Sequence, residues 1–529
     1  MHVELALTVF LAFVGVLLVA AQFTRIPYPI LLVLGGLALG FAPGIPEVEL
    51  DPEVVLVVLL PPLLYAVAFF TPLRELRRNV RPISLLAIGL VLATMLAVAA
   101  VAHEALEFGW AEAFVLGAIV SPTDPVAATA IAKRLHVPAR IVTVVEGESL
   151  INDGTALVAY KFAVAAVVTG SFSLIEASGQ FFFNVIGGIA IGIAIGSLIA
   201  FVRRRIDAPP VEVTIALFSG YFAYLPAEAL GVSGVLAAVT IGIYMGRLTS
   251  QLTSPATRIQ GNAVFEILQF LLNSALFVLV GLQLPAVLDA IDGIDTATLI
   301  RDGALIAATV MVVRLLWVFP FTYLPRFMLP WVRSSDPLPP WRWTLIVGWT
   351  GMRGAVSLAA ALALPLLTDS DALFPNRDLI IFLTFSVILA TLLIQGLTLP
   401  PLIQLLGLDD LDENLEREET EARRRAAEAA LARLEELTDE EWVREDTAER
   451  LRGAYSYKHR RFTARFDADG GGDGVDYEER TISFQRLTRE LIEAQRTTVI
   501  SMRDDGEIND DVLRVIEREL DLEDSRLEI

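Results

Sequence analysis

The 529-residue chain contains no cysteine. That excludes disulfides, thiol nucleophiles and thiolate metal sites. Histidine is nearly absent: His2, His103, His136 and His459 are too few and too scattered for a histidine metal cluster. Charge is scarce, at 19% of residues, where a soluble globular domain holds roughly a quarter. Only Lys133, Lys161 and Lys458 among the 41 basic residues are lysine, a compositional bias without functional meaning. No nucleotide loop and no nucleophile motif is legible, which argues against an enzyme and against a resident cofactor. What fills the chain is apolar text: 54% of residues are hydrophobic and the mean hydropathy is +0.59. This excludes a chain that is soluble throughout or disordered throughout. It points to a polytopic, all-α membrane protein.

The net charge of −21 is unevenly placed. Residues 1–407 hold 21 basic and 26 acidic side chains, and residues 408–529 hold 20 and 36. Composition therefore breaks near Leu408. It divides a transmembrane domain, 1–407, from an acidic, water-soluble tail, 408–529. A tail of net −16 does not suit nucleic acid or anionic lipid as partners.

About 20 apolar residues span a bilayer core as a helix. On that ruler the sequence predicts 13 spans: 5–22, 28–41, 54–70, 83–101, 112–132, 141–168, 178–201, 211–226, 232–246, 263–284, 297–320, 343–366 and 379–400. No small-residue cleavage site follows the first, which reads as a retained helix. Loops after odd-numbered spans carry 16 basic residues: Arg25, Arg74, Arg77, Arg78, Arg81, Lys133, Arg134, Arg140, Arg203, Arg204, Arg205, Arg247, Arg258, Arg326, Arg333 and Arg342. Loops after even-numbered spans carry Arg301 and Arg377, among acids such as Glu47, Glu49, Asp51 and Glu53. Basic loops stay cytoplasmic. The expected topology places the N-terminus outside and the tail inside. Glycine-rich 187–196 lets helices approach closely.

A few ionisable residues interrupt these spans: Asp124, Glu146, Glu148, Asp153, Lys161, Glu212, Glu266, Arg314 and Arg353. Each costs roughly 2.5–3.5 kcal/mol at mid-bilayer, so each needs a cavity or a partner, and an ion path is the default reading. In SPTDPVAATA, 121–130, Asp124 stands between Pro122 and Pro125. The prolines break the helical ladder, and the freed backbone groups, with Thr123 and Asp124, suit a cation. The alternative is a kink with Asp124 capping the following half-helix. In EGESLINDGTALVAY, 146–160, Ser149 and Asp153 share a helix face, and Glu148 and Asn152 share the adjoining one. Glu146 also reads as a cytoplasmic-end residue. In GWTGMRGAVSLAAALALP, 348–365, Arg353 lies between Gly351 and Gly354, a second backbone interruption. Its permanent charge calls for a carboxylate, with Glu148 or Asp124 as candidates. Arg314 is a second such cation, and both arginines also read as members of structural ion pairs. If Asp153 is the carrier, it holds one proton or one dehydrated Na⁺, helped by oxygens from Ser149, Thr123, Asp124 and the broken-helix carbonyls. Asn152 beside it is a neutral amide, which favours exchange without net charge movement.

At these residues the sequence resembles the bacterial sodium/proton antiporters of the cation:proton antiporter family, type 1. The matching text is SPTDPVAATAI, EGESLINDGTALV, FEILQFLLNSALFVLVGLQL at 265–284, GMRGAVSLAAALALP and TLLIQGLTLPPLI at 391–403, in order across about 1–407. The resemblance implies 13 helices in inverted repeats, two crossed broken helices and a homodimer with an elevator-like motion of its core. It implies electroneutral exchange of one Na⁺ or Li⁺ for one H⁺ across a bacterial inner membrane, in the service of pH homeostasis. It assigns an Asn-Asp pair to Asn152 and Asp153, a threonine-aspartate to Thr123 and Asp124, a glutamate-serine to Glu148 and Ser149, and a late arginine to Arg353. One departure stands out. Many members carry an acid after PPLL, where PPLLYAVAF, 61–69, has Tyr65 and Ala66.

Potassium/proton exchange remains open, because the sequence does not fix ion size. A cation channel also suits broken helices, but buried titratable acids favour coupled exchange. A membrane sensor with transport lost is disfavoured by intact Asp124 and Asp153. In the tail, 411–450 and 478–527 read helical, with a turn near Asp504, Asp505 and Gly506, and 467–475 reads as a linker. The expected role of the tail is regulatory or dimerising, with a ligand or partner of its own; the alternative is a passive solvated appendage.

Overall fold

The computed structural model describes residues 13–42, 52–408 and 413–527, apart from 22, 25, 136, 171–173, 292–293, 329–335, 337, 441 and 468–472. His2, His136, Arg25, Arg333, Glu47, Glu49, Asp51, the start of the first expected span and most of the expected linker lie outside the described residues. The described residues are helical, with an isolated bridge pairing Leu367 and Leu373. The chain divides into two compact units, Met1–Leu411 and Asp412–Ile529.

The first unit begins with helix α1 over 13–21, followed by α2, Tyr28–Gly40, and α3, Val54–Phe70. A short α4, Leu73–Arg78, leads into α5, Val80–Leu106. Next come α6, Trp110–Val120, α7, Val126–Arg134, and α8, Ala139–Thr169. Then follow α9, Leu174–Arg203, α10, Pro209–Ala229, α11, Gly234–Leu252, α12, Pro255–Leu282, and a short α13, Leu284–Asp289. The unit closes with α14, Thr296–Met328, α15, Trp341–Trp349, α16, Ala355–Leu362, and α17, Arg377–Leu406. Seven of the described helices are long and apolar enough to cross a bilayer. Others are shorter and apolar, among them α2, α3 and α6.

Local sequence explains the irregular places. Pro61 and Pro62 withdraw two donors from the α3 ladder, and the turn before them, Val54–Leu59, widens to a π-helix. Leu85–Leu90 in α5 is π-helical as well. Pro122 and Pro125 flank the unwound stretch between α6 and α7, and Gly351 and Gly354 flank the one between α15 and α16. By contrast α8 runs unbroken for 31 residues and carries Glu146 through Asp153 as a rigid ruler.

The glycine stripe of α9 faces α11 at backbone distance: a Cβ on Gly188 would strike the Ser233 carbonyl, and one on Gly192 the Ala237 carbonyl. The opposite side of α9 presents Phe182, Ile186, Leu198 and Phe201 outward, an apolar surface suited to lipid.

The second unit is also helical: α18, Glu413–Leu437, α19, Glu445–Asp467, α20, Asp473–Asp504, and α21, Asp510–Leu527. The stretch 411–450, expected to be helical, holds α18, which ends at Leu437, and the start of α19 at Glu445. Gly506, at φ +76°, supplies the left-handed residue of the last turn. Arg496 meets Asp521 at 2.8 Å and Arg489 meets Asp524 at 3.3 Å, tying α20 to α21.

Candidate functional site

The two interruptions meet. The Asp124 backbone N–H donates to the Met352 carbonyl at 2.8 Å, so one unwound strand leans on the other. Each break frees two half-helix ends, which carry partial charges of opposite sign. Asp124 serves the positive ends: its Oδ1 accepts from Val126 N at 2.9 Å, at the start of α7. Its other oxygen lies over Gly354, the residue before α16, so closely that a Cβ there would overlap the carboxylate. Only glycine fits at 354.

Arg353 serves the negative ends. Its Nε donates to the carbonyl of Val120, the last residue of α6, at 3.0 Å. Its Nη1 donates to the Gly351 carbonyl, just past α15. Its backbone N–H donates to Thr391 Oγ1 at 3.1 Å. This corrects the expectation that Arg353 needs Glu148 or Asp124. Carbonyl oxygens at two helix ends satisfy the buried guanidinium, and no salt bridge to it occurs among the described residues.

Glu148 instead pairs with Arg314. Nη1 and Nη2 of Arg314 reach Oε1 and Oε2 at 2.5 and 2.7 Å, a fork-to-fork geometry with both side chains at most 1% exposed. Arg314 also donates from Nη2 to the Val347 carbonyl at 3.0 Å. Thr123 Oγ1 donates to Glu148 Oε1 at 3.2 Å, and Asn152 Nδ2 donates to Thr123 Oγ1 at 2.9 Å. An ordered chain thus runs Asn152, Thr123, Glu148, Arg314. The amide oxygen Asn152 Oδ1 is buried without a partner.

Asp153 differs from both other carboxylates. It is buried, and it makes no hydrogen bond or salt bridge among the described residues. It lines a cavity of about 80 Å³ together with Ser149, Thr123 and Asp124. The structure thus brings the sequence-predicted oxygens to one chamber. The remaining singled-out charges lie elsewhere. Glu146 reaches Lys133 at 3.0 Å, exposed Lys161 reaches half-buried Glu228 at 3.0 Å, and Glu212 is buried against Arg203 at 3.4 Å. Glu266 faces outward. Among the described residues, no group of three His, Cys, Asp or Glu side chains is placed to hold a metal ion.

A family model described as sodium/hydrogen exchanger, transmembrane, matches residues 9–405. The chain belongs to the sodium/hydrogen exchanger family. An uncharacterized Na⁺/H⁺ exchanger of Mycobacterium tuberculosis is 38% identical over 515 residues, 95% of this chain and 92% of that one. A sodium, potassium, lithium and rubidium/H⁺ antiporter of Bacillus subtilis is 37% identical over 420 residues, 76% of this chain and 62% of that one. The Na⁺/H⁺ antiporter ApNhaP of Aphanothece halophytica is 35% identical over 422 residues, 79% and 77% of the two chains. The sodium proton antiporter MjNhaP1 of Methanocaldococcus jannaschii matches in fold at a TM-score of 0.59 and 21% identity, over 77% of this chain and all of that one.

In this exchanger the sequence reading overlooked two polar residues that also line the chamber, Asn273 of α12 and Ser357 of α16. Both lie in the quoted matching text, Asn273 in 265–284 and Ser357 four residues after Arg353, but only the folded chain brings them to the chamber. Ala66, which stands where many members carry an acid, is wholly buried, and so is Tyr65 before it, with its hydroxyl unpartnered. Its ring packs on Phe69 and Phe265, with centroids 5.7 and 5.8 Å away. Ala66 belongs to the same buried apolar cluster, so no polar side chain stands at that place.

Proposed function

We propose that this cation/proton antiporter exchanges one Na⁺ or Li⁺ for one H⁺ by alternating access, with Asp153 as the carrier. The observation that carries the reading is the isolation of Asp153 among paired neighbours. Glu148 is cancelled by Arg314, while Asp124 and Arg353, opposite in sign, are held by the amide and carbonyl groups freed at the helix ends. One negative charge is left in the chamber. It accepts one proton or one monovalent cation, and either occupant leaves the same net charge, so the cycle is electroneutral. Hydroxyl and carboxylate oxygens suit a hard cation. Competition for one site, combined with exposure to alternate sides, couples the two flows without ATP.

The same reading assigns Na⁺ to Asp153, Asp124, Thr123 and Ser149, with Glu148 and Asn152 ordering the hydroxyl of Thr123. The proposal includes 13 spans in inverted repeats, with boundaries near residue 407 between membrane domain and tail. It places a homodimer in the bacterial inner membrane, N-terminus outside and tail in the cytoplasm, as the basic loops favour. The tail is proposed to regulate transport through a ligand or partner. A separate, wider cavity of about 810 Å³ borders Ala130, Arg134 and Gln404. A second reading, a broader cation range including K⁺, is favoured by the named range of the Bacillus relative.

The test is proton flux in proteoliposomes with an internal pH dye and Na⁺, Li⁺ or K⁺ added in turn, with and without a voltage clamp. Cation-driven flux that ignores voltage and vanishes in Asp153→Asn is the expected result. Voltage-dependent flux excludes the 1:1 stoichiometry, and uncoupled cation leak excludes exchange.

A further inference from the structure

A second cavity, of about 70 Å³, lies away from the carboxylate chamber, where the ends of α5, α8, α14 and α15 meet. Three arginines border it: Arg81, Arg140 and Arg326. Arg140 Nη2 reaches Asp336 at 2.8 Å, and Arg326 Nη2 pairs with the other oxygen of the same carboxylate. Arg140 Nε donates to Asn79 Oδ1 at 2.9 Å, a neutral partner. Arg81 Nη1 is buried and has no hydrogen-bond partner. Three guanidinium groups against one carboxylate leave an excess of about two positive charges around a cavity. A buried cationic donor without an acceptor is costly. The rest of the wall is apolar and aromatic, with Leu85, Leu86, Trp317 and Trp343 continuing to Phe321, which is 38% exposed. A cationic end beside an apolar slot that opens outward fits an anionic amphiphile rather than a free ion. Basic pockets between membrane helices on the cytoplasmic side are suited to anionic headgroups.

We propose that this cavity seats the phosphate headgroup and first acyl carbons of an anionic phospholipid of the cytoplasmic leaflet. The leaflet rests on the topology proposed above; the binding chemistry does not. The site has a route to the transport chamber. Val347 lines the cavity, and its carbonyl holds Arg314, the partner of Glu148. A lipid seated there braces α15 against α14 and so steadies the pair that orders Thr123.

The experiment uses the delipidated full chain in detergent. Phosphatidylglycerol, phosphatidylethanolamine with the same acyl chains, and inorganic phosphate are added separately. Retained lipid is read by native mass spectrometry, and the thermal midpoint is read in parallel. Phosphatidylglycerol is expected to be retained and to raise the midpoint more than phosphatidylethanolamine. Arg81→Gln is expected to weaken its retention about five-fold, the worth of one arginine near an anionic surface. Phe321→Ala, at the exposed rim, should weaken retention with the arginines intact. Equal retention of both lipids, or wild-type retention in both variants, overturns the proposal. So does a shift by inorganic phosphate as large as that by phosphatidylglycerol. None of these outcomes depends on transport, so this proposal and the exchange reading fail separately.

Discussion

Three carboxylates, the buried Glu148 and Asp153 and the half-buried Asp124, are chemically alike, and their neighbours separate their roles. Glu148 is locked by Arg314 in a pair almost wholly withdrawn from solvent. Removing one member of such a pair strands a buried charge. Arg314→Leu is therefore expected to lower stability by about 3–5 kcal/mol, seen as a lower thermal midpoint in detergent. The double variant Glu148→Leu with Arg314→Leu should recover most of that loss while still failing to transport, because Thr123 loses its acceptor. Equal midpoints for the single and double variants would show that the pair is not coupled. Asp153 is the opposite case. With no partner to lose, Asp153→Asn should leave the midpoint near wild type and abolish exchange. Gly354→Ala pushes a methyl into the Asp124 carboxylate. The expected outcome is a protein that inserts but shows no cation-driven proton flux in the same vesicle assay.

At the scale of elements, the two broken helices are held together by what each break exposes. Asp124 answers the amide ends, and Arg353 answers the carbonyl ends at Val120 and Gly351. Arg353→Met keeps the bulk and removes the donors. Each buried carbonyl left unsatisfied costs about 1–3 kcal/mol. The expected signature is local: faster amide hydrogen exchange at 118–126 and 349–356, with α8 protected as before. Uniformly faster exchange across the bundle would instead mark global loss of packing. The breaks were legible in the sequence, since prolines at 122 and 125 and glycines at 351 and 354 interrupt apolar text. The partner of Arg353 was not. A guanidinium between two glycines suggests a carboxylate, and half-helix carbonyls appear as acceptors only when two chain interruptions 230 residues apart are brought to one place.

At the scale of the molecule, the compact units Met1–Leu411 and Asp412–Ile529 follow the shift from apolar to charged text. Helix pairs within the second unit make their own cross-links, such as Arg496 with Asp521. A chain ending at residue 411 is expected to keep cation-driven proton flux in proteoliposomes, with any change confined to its pH dependence. Complete loss of flux in an inserted, truncated chain would make the second unit part of the transport machinery.

The sequence by itself determined that the chain crosses a membrane, where its helices break, and which oxygens share the face of α8. Hydrophobic length, proline and glycine chemistry, and helical spacing are local properties, readable one segment at a time. Tertiary structure alone decided which charges cancel. It chose Arg314 over Arg353 for Glu148, put carbonyls around Arg353, drew Asn273 and Ser357 into the chamber, and left Asp153 alone. Pairing is a long-range property: Glu148 and Arg314 are 166 residues apart. In a low-dielectric interior, the charge that remains unpaired after all the others have found partners is the one free to carry an ion.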